Sequence, residues 1–425
     1  MENKRAQLQS NGYVILRQVV APEQLDQLRS DIETVVKGQR ASDPAWDTTS
    51  QPRASIVNHV NVDTLGAFEF VLHKHTYGVS ARLLDRPQNA VAATSAEVLC
   101  NPEFTPGNPQ RPGQGWGTDP RNWHRDVRPD RDGPLDALLE DQMANGPGYL
   151  QWNIALYEDS ILYVVPGSHR RLTTQAEASH LLCDQVRLTP VPESQCVELE
   201  PGDGVVYNNM ILHWGSKYSP QKKRRTIHLG YRSFGRIFPH QSQNYLPVGF
   251  WNRFAEGTPE RCVTERWFEL FRSELRTIEG IFRAALASDG ERFFAGMARL
   301  HPPSKGRLAC LILLSKMALA LEERRCQLGD DRVGADAVQS VCEWQLRELT
   351  LHFSDEELDQ LRQRFGPVDE ALQVGLHRHV AGFIGPTTNY EFEKIPKGIT
   401  IEGMCEEILG RQHKPGDSNF PDHFA

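Results

Sequence analysis

The chain has 425 residues, of which 39% are hydrophobic and 24% charged, and its formal net charge is -8. That length allows a large core and more than one structural unit, and the composition is that of a globular protein. The acidic balance argues against a non-specific nucleic-acid binder, which is usually basic.

Residues 3–10 are compatible with a short helix. Asn11-Gly12 interrupts it, and Tyr13-Val14-Ile15-Leu16 reads as a strand. Pro22 stands at a favourable first-turn position, and Leu25, Leu28, Ile32 and Val35 follow at helical spacing. Residues 38–57 form a polar loop. A second helix is expected over residues 65–84 and a buried strand over 91–99. The Pro/Gly-rich stretch 101–122 reads as a long loop, of the kind that is usually functional. A polar excursion over 128–148 precedes strands at 149–157 and 161–165. Pro166-Gly167-Ser168-His169-Arg170 is a turn. Short strands at 197–200, 205–207, 211–214 and 226–231 follow, the first ending at Pro201-Gly202-Asp203-Gly204. Short strands between Gly/Pro turns indicate a β-sandwich or jelly roll.

Composition changes near residue 250. Thr258 with Pro259 is a helix start, and Trp267, Phe268, Phe271, Leu275, Ile278 and Phe282 mark an apolar face. Ser354 and Glu357 make a capping box, with Gly366-Pro367 as the predicted stop of that helix. The expected fold is α+β: a jelly-roll unit over 1–245 with flanking helices, a mainly helical extension over 246–410, and a disordered tail over 411–425.

Eight cysteines lie scattered without a Cys-x-x-Cys pair, which predicts that most are buried free thiols in a reducing compartment. The N-terminus has no apolar signal core. The most apolar run, 308–321, is too short for a membrane span and contains Ser315 and Lys316. A cytoplasmic protein without membrane or nucleic-acid partners is expected.

Two constellations carry chemistry. In Trp123-His124-Arg125-Asp126 a histidine and an aspartate two residues apart share one face of an extended strand. His213 lies downstream in another short strand. Two imidazoles and one carboxylate form the facial triad of non-haem Fe(II) oxygenases, with open positions opposite. His-x-Asp alone is weak, because a loop histidine beside an aspartate is commonplace; the second histidine and the basic strand after it raise its weight. In that strand Arg224, Thr226 and His228 share one face, and Arg225 and Ile227 share the other. An arginine with a hydroxyl two residues on can hold a carboxylate, such as the far end of a 2-oxoacid. Whether Arg224 or Arg225 is that arginine stays open on spacing alone. His73/His75 and His377/His379 also have ligand spacing, but both pairs fall in stretches of helical character.

Four segments together resemble the phytanoyl-CoA dioxygenase family of Fe(II)/2-oxoglutarate-dependent oxygenases. They are Asn11-Gly12-Tyr13-Val14-Ile15, Trp123-His124-Arg125-Asp126, Val164-Val165-Pro166-Gly167-Ser168-His169-Arg170, and Glu200-Pro201-Gly202-Asp203-Gly204 running on to His213 and Arg224. They cover about residues 8–235. The resemblance implies a double-stranded β-helix and a reaction coupling decarboxylation of 2-oxoglutarate to succinate with hydroxylation by dioxygen. It implies His124, Asp126 and His213 as iron ligands. Arg224 becomes the 2-oxoglutarate anchor, Thr226 its hydroxyl partner and Asn153 a further cosubstrate contact. Asp126 favours oxygenation over halogenation, since related halogenases have a small residue there.

Arg125 departs from the family's usual glutamine, Trp214 shifts the small hydroxyl after His213 by one position, and the region after 250 resembles nothing nameable. Arg125 and Arg128, with Arg121 and Arg131 nearby, are candidates for an anionic group of a small-molecule substrate. A homodimer contact through the C-terminal helices is a further expectation. Two alternatives stand beside hydroxylation: the same iron chemistry directed to desaturation, epimerisation or ring formation, and a jelly-roll binding protein without turnover.

Overall fold

A computed structural model describes all residues except 49–51, 103–122, 128–133, 178–189, 217–221, 237–245, 247–248, 302–306, 329–347, 380–393 and 411–425. The long loop over 103–122, Arg121, Arg128, Arg131 and the C-terminal tail therefore lie outside the described residues.

The first helix, α1 (Glu2–Asn11), ends at Gly12, whose φ of 83° is left-handed and whose N–H reaches the Leu8 carbonyl. A side chain at Gly12 would also meet the His169 ring, so glycine is required on two counts. Strand β1 (Tyr13–Leu16) follows. Helix α2 (Pro22–Ser42) carries Pro22 in its first turn and buries Leu28, Ile32 and Val35 of the expected stripe, with Val36 beside them and Leu25 partly buried. The single helix expected over 65–84 is two, α3 (Leu65–Leu72) and α4 (Tyr77–Leu83). Between them the Thr76 hydroxyl donates to the carbonyls of Phe70 at 2.7 Å and His73 at 3.1 Å. That local bonding competes with the helical ladder and makes a turn. The stretch 128–148 also departs from expectation. It contains helix α5 (Leu135–Asn145), which buries Leu135, Leu138 and Leu139 with Val127, Met210 and Ala309. Its apolar residues are interrupted by Asp136, Glu140, Asp141 and Gln142, which hides the periodicity.

Among the described residues, nine strands form two antiparallel sheets. The larger has the order β1, β7 (Gly204–Asn208), β4 (Tyr149–Ala155), β9 (Arg225–Ser233), β3 (Val91–Cys100) and β2 (Arg53–Ser55). The smaller has β6 (Gln195–Cys196), β5 (Leu162–Val164) and β8 (His213–Gly215). Side chains of the larger sheet divide by parity. Trp152, Ile154, Val206, Ile227, Leu229 and Tyr231 pack with residues of α2, α3 and α4. On the other face Ala155, Val205 and Tyr207 pack against Leu162, Val164 and Ile211 beside the smaller sheet. The two sheets thus face each other. Gly230 belongs to the inter-sheet face, where a Cβ would collide with the hydroxyls of Tyr149, Thr94 and Ser95.

Thr258 caps helix α6 (Pro259–Leu286) by accepting from the Arg261 amide, as its sequence predicts. The front half of α6 places Trp267, Phe268 and Phe271 in the core of the larger sheet. Its rear half places Leu275, Ile278 and Phe282 in a second apolar cluster. That cluster draws on α7 (Gly290–Leu300), α8 (Arg307–Leu328), α9 (Asp355–His379) and α10 (Ile401–Leu409). The Ser354–Glu357 capping box is reciprocal, at 2.7 and 3.2 Å. Gly366-Pro367 does not stop α9, which runs through Pro367 to His379. Phe365, Val368 and Leu372 continue the buried stripe of Leu358 and Leu361 across the proline, and that packing outweighs one missing hydrogen bond. Among the described residues no helix is long and apolar enough to cross a membrane.

Candidate active site

The segment around His124 runs antiparallel to the start of β8. The His124 amide donates to the His213 carbonyl at 3.0 Å, and the His213 amide donates back at 2.9 Å. One step on, the Asp126 amide donates to the Asn209 carbonyl at 3.0 Å. These bonds hold two segments that are remote in sequence side by side.

Ligand-type atoms of His124, Asp126 and His213 lie within 4.8 Å of one another, and this is the one such group among the described residues. His124 Nε2 is 3.5 Å from Asp126 Oδ1, and His213 Nε2 is 3.7 Å from Asp126 Oδ2. His213 Nδ1 lies 2.9 Å from the Ile211 carbonyl, which requires the proton on Nδ1 and leaves Nε2 as the electron-pair donor. Burial pushes the His213 pKa down to about 4 against the opposing pull of Asp126, so the ring is neutral at neutral pH, as a metal ligand must be. Two imidazoles and a carboxylate fit a divalent iron ion.

Arg125 is not at a substrate-facing position. It is fully buried, and its guanidinium donates to the carbonyls of Ser168 at 2.7 Å, Met210 at 2.6 Å and Arg171 at 3.3 Å. The alternation that turns His124 and Asp126 toward each other turns Arg125 the other way. The Pro166–Arg170 turn completes this support, because Ser168 Oγ accepts the Leu212 amide at 2.8 Å. Behind the ligands, Trp214 lies between Trp123 and Tyr163, with ring centroids at 5.6 and 5.7 Å.

The basic strand resolves by parity. Arg225 pairs with Glu33 of α2, Nε to Oε1 at 3.0 Å, on the helix-facing side. Arg224 takes the inter-sheet side, where its Nε donates to Asp159 Oδ2 at 2.8 Å. Thr226 is not left as a donor for a cosubstrate: its hydroxyl donates to that same Asp159 oxygen. Asp159 Oδ1 accepts the Ile161 amide at 2.9 Å. Burial would raise the Asp159 carboxyl, but Arg224 and the Thr226 hydroxyl offset this and hold it below the usual carboxylate range. Asn153 lies opposite His228, and its Oδ1 is 2.8 Å from His228 Nδ1. Burial, with Arg53 alongside, pushes the His228 pKa down to about 3 against the pull of Asp126.

Asp159 and His228 were given no role on sequence grounds. His228 carried a signal, its shared face with Arg224; Asp159 carried none. His73 and His75 sit in the turn after α3, not in a helix, and their rings pack edge to face at 4.7 Å. Residues 377–379 lie in α9.

A family model described as phytanoyl-CoA dioxygenase matches residues 8–226, just over half of the chain. The chain belongs to the phytanoyl-CoA dioxygenase family. Membership makes it an oxidoreductase whose cofactors are iron, 2-oxoglutarate and dioxygen, and the His124–Asp126–His213 group fits the metal. No curated protein matches the chain. Among solved structures, AviO1 from Streptomyces viridochromogenes Tue57 is 18% identical with a TM-score of 0.36, over 55% of this chain and 94% of that one. SnoN, a non-heme alpha ketoglutarate dependent epimerase from nogalamycin biosynthesis, is 15% identical with a TM-score of 0.37, over 56% and 86%. EctD from S. alaskensis, solved with 2-oxoglutarate and 5-hydroxyectoine, is 16% identical with a TM-score of 0.38, over 55% and 76%.

Proposed function

We propose that this family member is an Fe(II)/2-oxoglutarate-dependent dioxygenase with a double-stranded β-helix (jelly-roll) core, coupling decarboxylation of 2-oxoglutarate to succinate with hydroxylation of a small molecule. The observation that carries the reading is the convergence of His124, Asp126 and His213 across a backbone bridge. His124, Asp126 and His213 would hold the iron from the protein side, leaving it open to cosubstrate and dioxygen.

Iron with 2-oxoglutarate and dioxygen supplies the oxidising chemistry. The chain supplies placement. The Ile211 carbonyl fixes the His213 ring, and Arg125 fixes the two ligand segments. Arg224 holds the far carboxylate of 2-oxoglutarate, and Asp159 sets the plane of that guanidinium through Nε. Asn153, its oxygen engaged by His228, offers its amide nitrogen from the neighbouring strand. No side chain is needed as a general base.

Under anaerobic conditions, Fe(II) plus 2-oxoglutarate should produce a weak visible charge-transfer band. His213→Ala should abolish both the band and succinate formation. Arg224→Ala should raise the 2-oxoglutarate requirement roughly ten- to a hundredfold, the loss of one charge-assisted contact. Absence of the band in iron-loaded wild-type protein would overturn the reading. Product mass then tests the reaction type, since hydroxylation adds an oxygen atom, whereas desaturation, epimerisation and ring formation do not.

A further inference from the structure

The part of the inter-sheet face that the cosubstrate anchor does not use carries information about the substrate. Directly opposed residues of antiparallel strands share a face. Asn153 of β4 opposes His228 of β9, His228 opposes Glu97 of β3, and Glu97 opposes Ser55 of β2. A polar row therefore crosses four strands. Gln151, Gly230 and Ser95 form a parallel row two residues along each strand. Arg53, opposite Leu99 on the edge strand, donates from Nη1 to Glu97 Oε2 at 3.2 Å.

The row runs from β4 to the edge strand β2. Arg53, Asp126 and His213 all act electrostatically on the His228 ring. The Glu97 and Arg53 side chains are 23% and 49% exposed, so the far end opens to solvent. Of the apolar residues on this face, Ala155, Val205 and Tyr207 are buried against the smaller sheet, while Leu99 of β3 lies between Arg53 and Thr226. A substrate approaching over β3 and β9 would meet the Glu97 carboxylate, the Arg53 guanidinium and the His228 imidazole, with the Leu99 side chain beside them.

We propose that Glu97, Arg53 and His228 read the substrate, and that it is a polar molecule bearing adjacent hydroxyl or amino groups, not an acyl chain. This rests on the reading of the iron site given above. A donor–acceptor pair such as Arg53–Glu97 can engage two neighbouring polar groups of a ligand, one accepting from the guanidinium and one donating to the carboxylate. A hydrocarbon chain laid over the same row would leave these groups without hydrogen-bond partners. Sites built to hydrogen-bond a hydroxyl or amino group reject analogues that lack it far more strongly than apolar pockets reject a missing methylene.

The test uses full-length, iron-loaded protein and measures succinate formation with methyl α-glucoside, glucosamine, L-lysine and octanoyl-CoA as probes. At least one polar probe should raise succinate formation roughly tenfold over the probe-free rate, and octanoyl-CoA should not. Glu97→Gln and Arg53→Gln should each raise the half-saturating concentration of that probe roughly tenfold, the effect of one lost charge-assisted bond. Stimulation by octanoyl-CoA, by none of the polar probes, or unchanged half-saturation in both variants overturns the proposal when the wild type forms the anaerobic Fe(II)–2-oxoglutarate band. A wild type without that band overturns the parent reading and this proposal with it.

Discussion

Arg125 is where reading by residue type and reading by position diverge most. Placed between two metal-ligand candidates, it suggests a contact for an anionic substrate. Yet the period of two that makes His-x-Asp legible also requires the middle residue to point away. Its three bonds to backbone carbonyls make it a tie between the His124 segment, the Ser168 turn and the approach to His213. Arg125→Ala should therefore lower stability by about 2–4 kcal/mol, since several buried carbonyls lose their donor. Urea unfolding measures this, and iron affinity should fall in parallel. A change in substrate half-saturation at unaltered stability would instead restore the substrate role. The ligands themselves are legible because alternation, a second histidine and a downstream arginine constrain one another. Asp159 is not legible, because its partnership with Arg224 and Thr226 exists only once a turn and a strand remote in sequence meet.

Among elements, most strands are readable and the helix boundaries are not; the stretch 38–57, which reads as a polar loop, holds the end of α2 (to Ser42) and strand β2, and the strand expected over 197–200 is β6, two residues earlier. Short apolar runs between Gly/Pro turns mark strands directly. Helix α5 was hidden by its acidic dress, and the break between α3 and α4 depends on one threonine hydroxyl choosing backbone carbonyls over solvent. Pro367 shows the converse, a strong local stop overruled by a continuous buried stripe. At the sheet, Gly230 is fixed by its neighbour, because the Tyr149 hydroxyl fills the space a Cβ would need. Gly230→Ala should cost about 1–3 kcal/mol of stability through overpacking. Adding Tyr149→Phe should recover part of that loss, a non-additive cycle visible in thermal or urea unfolding. Equal and additive losses would show that the tyrosine hydroxyl is not the obstacle.

For the whole molecule, buried neutral histidines set the response to acid. Burial pushes His169 down to about 4, chiefly through desolvation, while its ring stays bonded to the Gln9 carbonyl. Above about pH 6.5 this imidazole is neutral in both folded and unfolded chains. Between about 6.5 and 4 only the unfolded chain takes up the proton, so stability falls as pH falls. His213 and His228 add to the same trend in metal-free protein. Metal-free protein should lose stability steadily across this window, and His169→Gln should flatten the profile by up to about 3 kcal/mol. A profile that is flat in the parent protein would contradict the burial of these rings.

The paired amides of His124 and His213 have a kinetic meaning as well. Each is the other's backbone partner, so neither can exchange its hydrogen with solvent unless the bridge opens, and an open bridge separates two ligands. Metal binding to the closed form alone must then slow deuterium uptake at both amides together, by a factor that grows with free iron over its dissociation constant. Exchange at these two positions reads metal loading in the absence of any substrate.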